Sequence, residues 1–370
     1  MARNLKIAVN TGGGDAPGLN AVIRAVTLAA CNRGWKVYGI QNSYYGLLDT
    51  DEIIQLTPEA VANITPLGGT ILGTTNKGNP FEYPMKNFAG ETEIRDVSDK
   101  VIENFKRFQF DCLVAIGGDG SLRIAHRLSQ KGINVVGVPK TIDNDLESTV
   151  ITFGFDTAVT TATDAIDKLH STARSHDRVM VVEVMGRNAG WIALNSGISG
   201  CADFILIPEI PFDLDIICRR IGEMELEKKR SAIIVVAEGA KPKDGGVVTK
   251  GAGEVGRQEV LLGGVGEYIA KEIATRTGKD TRALVLGHLQ RGGTPTTFDR
   301  LVALRFGAAA VRAIEAGNFG VMVALDPPTV KTVPLEEAIS KMKSVPLDSD
   351  NIITARDLGI CFGDKLPTDG

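Results

Sequence analysis

Gly117-Gly118-Asp119-Gly120-Ser121 closes one apolar run, 112–116, and Pro139-Lys140-Thr141-Ile142-Asp143-Asn144-Asp145 closes the next, 134–138. Short runs rich in Val and Ile, bounded by Gly and Pro, predict buried strands, here with a helix between them. Adjacent strands of this kind deliver both loops to one crevice at their carboxyl ends. In the first loop, glycines let backbone N–H groups close on a phosphate, and Asp119 is placed for a divalent cation. In the second, an extended stretch with alternating side chains puts Asp143 and Asp145 on the same side. A phosphate cradle opposite paired acids is what moving a phosphoryl group onto a hydroxyl requires. These loops predict a kinase of a small polar molecule.

The pattern continues outward from the two loops. Further strands are predicted over 6–10, 35–40, 179–184, 204–207, 233–237 and 284–286, and helices over 101–108, 122–128, 158–169, 265–273 and 301–314. Leu19, Val22, Ile23 and Val26 form a helical stripe between the first two strands. Strand–helix alternation with continuously apolar strands predicts an α/β protein whose parallel sheets are covered by helices on both faces. The number of units predicts two Rossmann-like lobes, with the boundary near Phe153 to Phe155. Three polar stretches, 77–99, 239–256 and the tail after Leu347, are expected as surface insertions.

Composition bounds the partners. At 370 residues the chain can bury one large core or two lobes. A net charge of −4 gives no electrostatic case for nucleic acid or an anionic membrane. The early start of the first strand leaves no room for a signal peptide, and no apolar run approaches a membrane span. Cys31, Cys112, Cys201, Cys218 and Cys361 are scattered and odd in number, which favours reduced thiols, mostly in the core, and a cytoplasmic location.

A second glycine loop, Thr11-Gly12-Gly13-Gly14-Asp15-Ala16-Pro17-Gly18, lies between the first strand and first helix, where backbone approaches an anion closely. It is neither a Walker A motif nor a dinucleotide fingerprint. Asp119 is also suited to cap a helix starting near Ser121, and Asp143 and Asp145 to bond their own backbone as turn residues. Three acids converging on a glycine-lined pocket favour a functional site, because ionised carboxylates in that position need a cation. Arg178, Arg187, Arg282 and Arg291 stand at or near strand ends, where guanidinium groups match a phosphorylated substrate. Ordinary ion pairing is the alternative for any one of them. His288 suits a neutral donor or acceptor, whereas His126, His170 and His176 have no assigned chemistry.

Taken in order, the glycine loops, Thr141-Ile142-Asp143-Asn144-Asp145, Glu183-Val184-Met185-Gly186-Arg187 and Gly287-His288-Leu289-Gln290-Arg291-Gly292-Gly293 resemble the 6-phosphofructokinase family. The resemblance runs from Thr11 to Gly293 and less distinctly through the following helix. It implies the phosphofructokinase fold, with 1–154 and roughly 290–340 as the larger, donor-binding lobe. The smaller lobe, 155–289 with roughly 341–370, would bind fructose 6-phosphate.

By resemblance, Asp143 is the base for the sugar 1-hydroxyl, with Thr141, Asp145 and Arg187 also catalytic. Asp119 would organise Mg²⁺, and Gly13, Gly14, Asn76, Lys77, Gly118, Gly120 and Ser121 would line the ATP site. Thr141, Met185, Gly186, Arg187, Glu238, His288 and Arg291 would hold fructose 6-phosphate. Arg178 and Arg282 would reach its phosphate from a neighbouring subunit, implying a homodimer or homotetramer.

Gly120 and Lys140 bear on the donor. Pyrophosphate-dependent relatives usually carry Asp in place of Gly120, which obstructs the nucleotide α-phosphate; they also carry lysine at Lys140. The combination resembles a mixed-substrate group, and room at Gly120 favours ATP over pyrophosphate. Asn76-Lys77 stands where ATP enzymes have arginine, and Ile124 where they have a small residue near adenine. Leu28 and His170 replace arginines of the bacterial effector site, although Arg24 is present, which argues against effector control carried over intact. Other readings are a pyrophosphate-dependent enzyme, a kinase of sedoheptulose 7-phosphate, and a non-catalytic phosphosugar-binding regulatory subunit.

Overall fold

Apolar residues without a polar alternation become strands buried on both faces. The computed structural model describes residues 4–76, 78–87, 90–245 and 263–367. The chain begins with β1 (Lys6–Gly12), α1 (Leu19–Cys31), β2 (Lys36–Ile40) and β3 (Ile53–Leu56). A hairpin, β4 (Tyr83–Lys86) and β5 (Thr92–Arg95), precedes α2 (Ser98–Arg107), β6 (Cys112–Gly117), α3 (Asp119–Gln130) and β7 (Val135–Pro139). Next come α4 (Phe155–Ser175), β8 (Val179–Val184), α5 (Trp191–Ser199) and β9 (Phe204–Leu206). They are followed by α6 (Leu214–Leu226), β10 (Ala232–Ala237), α7 (Val265–Thr277) and β11 (Thr281–Val285). Finally α8 (Thr297–Glu315), β12 (Val321–Asp326) and β13 (Thr329–Pro334) lead to α9 (Leu335–Ala338) and α10 (Asp350–Asp357).

One sheet has the order β13-β12-β7-β6-β1-β2-β3, and a second has the order β11-β8-β10-β9. The first is parallel from β12 to β2, with antiparallel strands at its two edges. The second is parallel throughout. Each central strand feeds two cores: Ile7 and Val9 of β1 face one cluster, and Ala8 faces the other. In β10, Ile233 and Val235 point to one cluster, Ile234 and Val236 to another. This period of two with both faces apolar is why these strands read as unbroken hydrophobic runs. Phe153 lies in a core of the first sheet and Phe155 in a core of the second, which also takes in Ala16 and Ile142.

β1 pairs with β2 on one side and β6 on the other, so the strand order reverses at β1. Such a switch point opens a crevice outside the carboxyl ends of the strands. The glycine loops after β1 and β6 both enter it.

Several expectations need correction. The tail after Leu347 is not a surface excursion: it forms α10 and buries Ile352, Ala355, Ile360 and Phe362 in a core of the second sheet. The 77–99 stretch carries the β4–β5 hairpin and buries Phe81, with the Arg127 guanidinium 3.8 Å from its ring centre. Their many charges concealed the few apolar anchors that fix them. Of the 239–256 stretch, residues 246–256 lie outside the described residues. Gly239 is tightly enclosed; an added Cβ would stand 1.8 Å from the Arg187 carbonyl oxygen. The thiols are also less uniform than expected, with Cys112 and Cys361 buried and Cys201 exposed.

Candidate active site

The crevice is a cavity of about 390 Å³ bounded by loops from both sheets. Gly13, Gly14 and Asp15 come from the loop after β1, and Gly118, Asp119, Gly120 and Ser121 from the β6–α3 junction. Lys140, Thr141, Asp143 and Asp145 follow β7. Across from them, Met185 and Arg187 follow β8, Glu238 follows β10, and His288 and Arg291 follow β11. Asn76 and Ile124 also line the cavity. Gly186 sits in the same turn without lining it, and Lys77 lies outside the described residues.

The loop after β1 needs glycine at position 13, where φ is +79°. Against this loop, the Lys140 ammonium, buried at 3% exposure, donates to the Gly14 carbonyl. Burial, and next the nearby Arg291 charge, pull the Lys140 pKa down to about 8. Arg291 Nη1 donates to the Asp15 carbonyl at 3.1 Å, so a residue following β11 braces the loop following β1. The two sheets are thus cross-linked through their loops at the cavity floor.

Asp119 is the first residue of α3 rather than a cap placed before it. Its carboxylate faces Arg123 at 2.9 Å, one helical turn on, and remains half-exposed to the cavity. The capping alternative therefore fails, and an acidic side chain is left beside a helix amino terminus and a glycine loop.

Asp143 and Asp145 do face one cavity, but not through strand alternation. Asn144 between them is left-handed, with φ of 52°. That conformation costs a non-glycine residue about 1–2 kcal/mol and turns the backbone sharply. Asparagine tolerates it best, and the side-chain oxygen of Asn144 accepts from the Thr152 N–H at 3.1 Å. Thr141 Oγ1 accepts from the Asp143 N–H at 3.1 Å, completing the turn. Burial raises the pKa of Asp143, opposed first by Arg291 and then by Arg187. Burial also pushes Asp145 up to about 6, with the Asp143 charge adding to the effect. Asp143 Oδ1 is buried and has no hydrogen-bond partner among the described residues. A buried carboxylate oxygen left so is costly to folding.

Glu238 Oε1 accepts from the Arg187 N–H at 3.1 Å, and Arg187 is itself left-handed with φ of 52°. Left-handed non-glycine residues thus stand at the cavity on loops from both sheets, a placement typical of functional sites. Burial raises the Glu238 pKa as well.

Arg178 and Arg282 stand elsewhere. Arg178 immediately precedes β8 and Arg282 is second in β11, at the amino ends of the strands, away from the cavity. Asp280 holds both, at 2.5 Å from Arg178 Nε and 3.0 Å from Arg282 Nη2. Sequence reasoning also passed over Asp15, Ser43, Tyr44 and Asn79, which line the cavity. Asn42 and Ser43, consecutive left-handed residues just after β2, were legible only as a turn signal.

The fold and the site define an α/β protein of the phosphoryl-transfer class, with a glycine cradle facing buried acids and arginines across one crevice. The sequence model for phosphofructokinase matches residues 6–314, and the chain belongs to the phosphofructokinase family. An ATP-dependent 6-phosphofructokinase from Chloroflexus aggregans is 48% identical over 365 residues, 99% of each chain. A pyrophosphate–fructose 6-phosphate 1-phosphotransferase from Amycolatopsis methanolica is 49% identical over 344 residues, 92% of this chain and 96% of that one. The crystal structure of Pichia pastoris phosphofructokinase in the T-state superposes with a TM-score of 0.78 at 31% identity. It covers 92% of this chain, which spans 36% of the yeast chain.

Proposed function

We propose that this chain is an ATP-dependent 6-phosphofructokinase, transferring a phosphoryl group to the 1-hydroxyl of D-fructose 6-phosphate to form fructose 1,6-bisphosphate in glycolysis. The observation that carries the reading is Asp143, a buried carboxylate with an unpartnered oxygen between the glycine cradle and the arginines. The hydroxyl proton moves to Asp143 as the sugar oxygen bonds to the γ-phosphorus and the bond to the ADP oxygen breaks. A carboxylate with a raised pKa is a stronger base, which suits it to this step. Arg187 and Arg291 balance the charge that gathers around Asp143.

Gly13, Gly14, Gly118, Gly120, Ser121 and Asn76 are assigned to the donor, and Thr141, Met185, Gly186, Arg187, Glu238, His288 and Arg291 to the sugar phosphate. Among the described residues no group of three or more His, Cys, Asp or Glu is close enough to hold a metal alone. Mg²⁺ asks for less, one or two carboxylates with phosphate oxygens and water completing the octahedron. Asp119 fits that need, half-exposed on the cavity beside the glycine loop. When bound there, the ion supplies neutralising charge to the donor phosphates.

The same reading divides the chain into a donor lobe, 1–154 with roughly 290–340, and a sugar-phosphate lobe of 155–289 with roughly 341–370. It places the protein in the cytoplasm; among the described residues no helix is long and apolar enough to cross a membrane. It also makes the enzyme a homodimer or homotetramer. Arg178 and Arg282, paired on Asp280 outside their own cavity, are then available to a neighbour's sugar phosphate.

Pyrophosphate is the second reading, favoured by Lys140 in the cradle and by the name of the Amycolatopsis relative. Gly120 decides for ATP, since it leaves room and no charge beside Asp119. Initial rates at saturating fructose 6-phosphate test the choice. Turnover with ATP and little with pyrophosphate is expected. The reverse result makes the protein a pyrophosphate enzyme, and binding of fructose 6-phosphate with turnover on neither donor makes it a regulatory subunit.

A further inference from the structure

A strap from the far end of the chain crosses behind the turn that carries the two acids. Met342 forms an isolated antiparallel bridge with Leu146, and the Lys343 N–H donates to the Asp145 carbonyl at 2.9 Å. The Lys343 side chain then runs under the turn. Its ammonium donates to Asn144 Oδ1 at 2.9 Å, to the Thr149 carbonyl at 2.9 Å and to the Val150 carbonyl at 3.1 Å. An ammonium has three N–H donors, and each finds an oxygen here.

The strap is itself held by the second sheet. Trp191 Nε1 at the start of α5 donates to the Lys343 carbonyl at 3.0 Å, and the ammonium lies 5.6 Å from the indole centre. Two residues on, the Val345 N–H donates to Glu209 Oε1 at 2.9 Å. Glu209 also accepts from the Gly190 N–H at 3.0 Å, three residues after Arg187. One short segment therefore joins the back of the Asp143 turn to the back of the Arg187 loop. Lys343 is the only one of its residues that reaches the left-handed asparagine with a described side-chain bond.

We infer that Lys343 is a positioning residue: by gripping Asn144 in its left-handed turn it sets the direction in which Asp143 meets the acceptor hydroxyl. The role rests on the proposed function, since it requires Asp143 to act as base. The ammonium is specifically suited to it. Its short distances to Asn144 Oδ1 and to the Thr149 and Val150 carbonyls tie the turn to the segment that follows it, which no hydrophobic side chain of equal length can do. Burial lowers its pKa to about 8, the usual sign of a lysine enclosed by structure rather than free in solvent. A lysine that merely fastened the strap would matter for stability and not for the turnover of folded molecules.

Lys343→Met keeps the length of the stem and removes the three donors. The expected result is a fall in kcat of about 10–100-fold, the scale on which a small misplacement of a reacting group acts. KM for fructose 6-phosphate and for ATP should change little, because Lys343 does not line the cavity. Glycine adopts the left-handed turn unaided, so in an Asn144→Gly background Lys343→Met should cost far less in kcat than in the parent. Unchanged kcat in Lys343→Met, or equal costs in the two backgrounds, would overturn the role. Should Lys343→Met not fold, Trp191→Phe loosens the strap by one hydrogen bond and should also lower kcat without raising KM; unchanged kcat there overturns it equally. The parent is assayed alongside. A parent that turns over neither donor defeats the functional assignment, whereas an active parent beside an equally active variant defeats only the role of Lys343.

Discussion

The buried ammonium of Lys140 bonds the carbonyl of Gly14, tying the end of β7 to the glycine loop after β1. The charge is thereby built into the floor of the cradle, close to Arg291 and to Asp143. A bound donor phosphate would be held by this charge, and Lys140 is close to losing it at mildly alkaline pH.

The first prediction concerns pH. In the free enzyme Asp143 must be ionised to accept a proton, and burial raises its pKa above the ordinary carboxylate value. Lys140 must be charged to attract the donor, and burial brings its pKa to about 8. The profile of kcat/KM for ATP should therefore drop on the acid side as Asp143 is protonated and fall again through about pH 8, since that quantity reports groups of the free enzyme. In Lys140→Met the alkaline limb should vanish while the acid limb stays. An alkaline limb that persists unchanged would assign it to another group.

Replacing Asp143 should separate activity from stability. Asp143→Ser is expected to lower kcat by at least about 10²–10⁴-fold, the contribution usual for a general base. The folded state raises the pKa of this acid, so its favourable contribution belongs to low pH and is lost as pH rises through the folded value. Asp143→Ser removes a buried acid with an orphaned oxygen, and with it the charge that offsets the Arg291 and Arg187 guanidiniums. The two effects oppose each other, so Tm at pH 7.5 should stay close to the parental value. Near-parental turnover would refute the mechanism, and a large fall in Tm would mean that the carboxylate holds the loop together.

Gly120 tests the donor. Gly120→Asp puts a carboxylate in the first turn of α3, beside Asp119 and facing the cavity. Two like charges about 4 Å apart repel by roughly 4 kcal/mol at an effective dielectric of 20, enough for a penalty of about a thousandfold on ATP. Binding of fructose 6-phosphate, measured by calorimetry, should stay near the parental value. A variant that still uses ATP as well as the parent would show that the donor does not pass this position.

Assembly can be tested by complementation. Arg178 and Arg282 flank Asp280 and do not reach their own cavity. Asp143→Ser and Arg282→Ala should each be nearly inactive alone. Mixed oligomers should regain part of the parental activity through sites that take both intact residues from different subunits. Verified hybrids without any recovery would place the arginine's role within its own subunit.

The strands and the loops that follow them were legible in the sequence because their signals are local. Val179–Val184 is predicted and observed with the same ends, since a buried parallel strand needs an unbroken apolar run. The edge strand β13 escaped notice, because Thr329–Pro334 is half polar and becomes a strand only by pairing with β12. α10 escaped for a related reason. Of its eight residues only Ile352 and Ala355 are buried, too few for a helical stripe to show.

At the site the division follows separation along the chain. Which loops carry glycine, carboxylate and guanidinium is legible along the chain, because each motif is a few residues long and sits beside its own strand. How they are aimed depends on long-range packing. Asn144 takes a left-handed turn where alternation suggested an extended chain, and its clamp, Lys343, lies 199 residues away. Lys140 meets Gly14 across 126 residues, and Arg178 meets Asp280 across 102. No local pattern encodes such pairings, because a side chain's propensity fixes its own backbone, whereas its partner is chosen by which surfaces the packed sheets bring together.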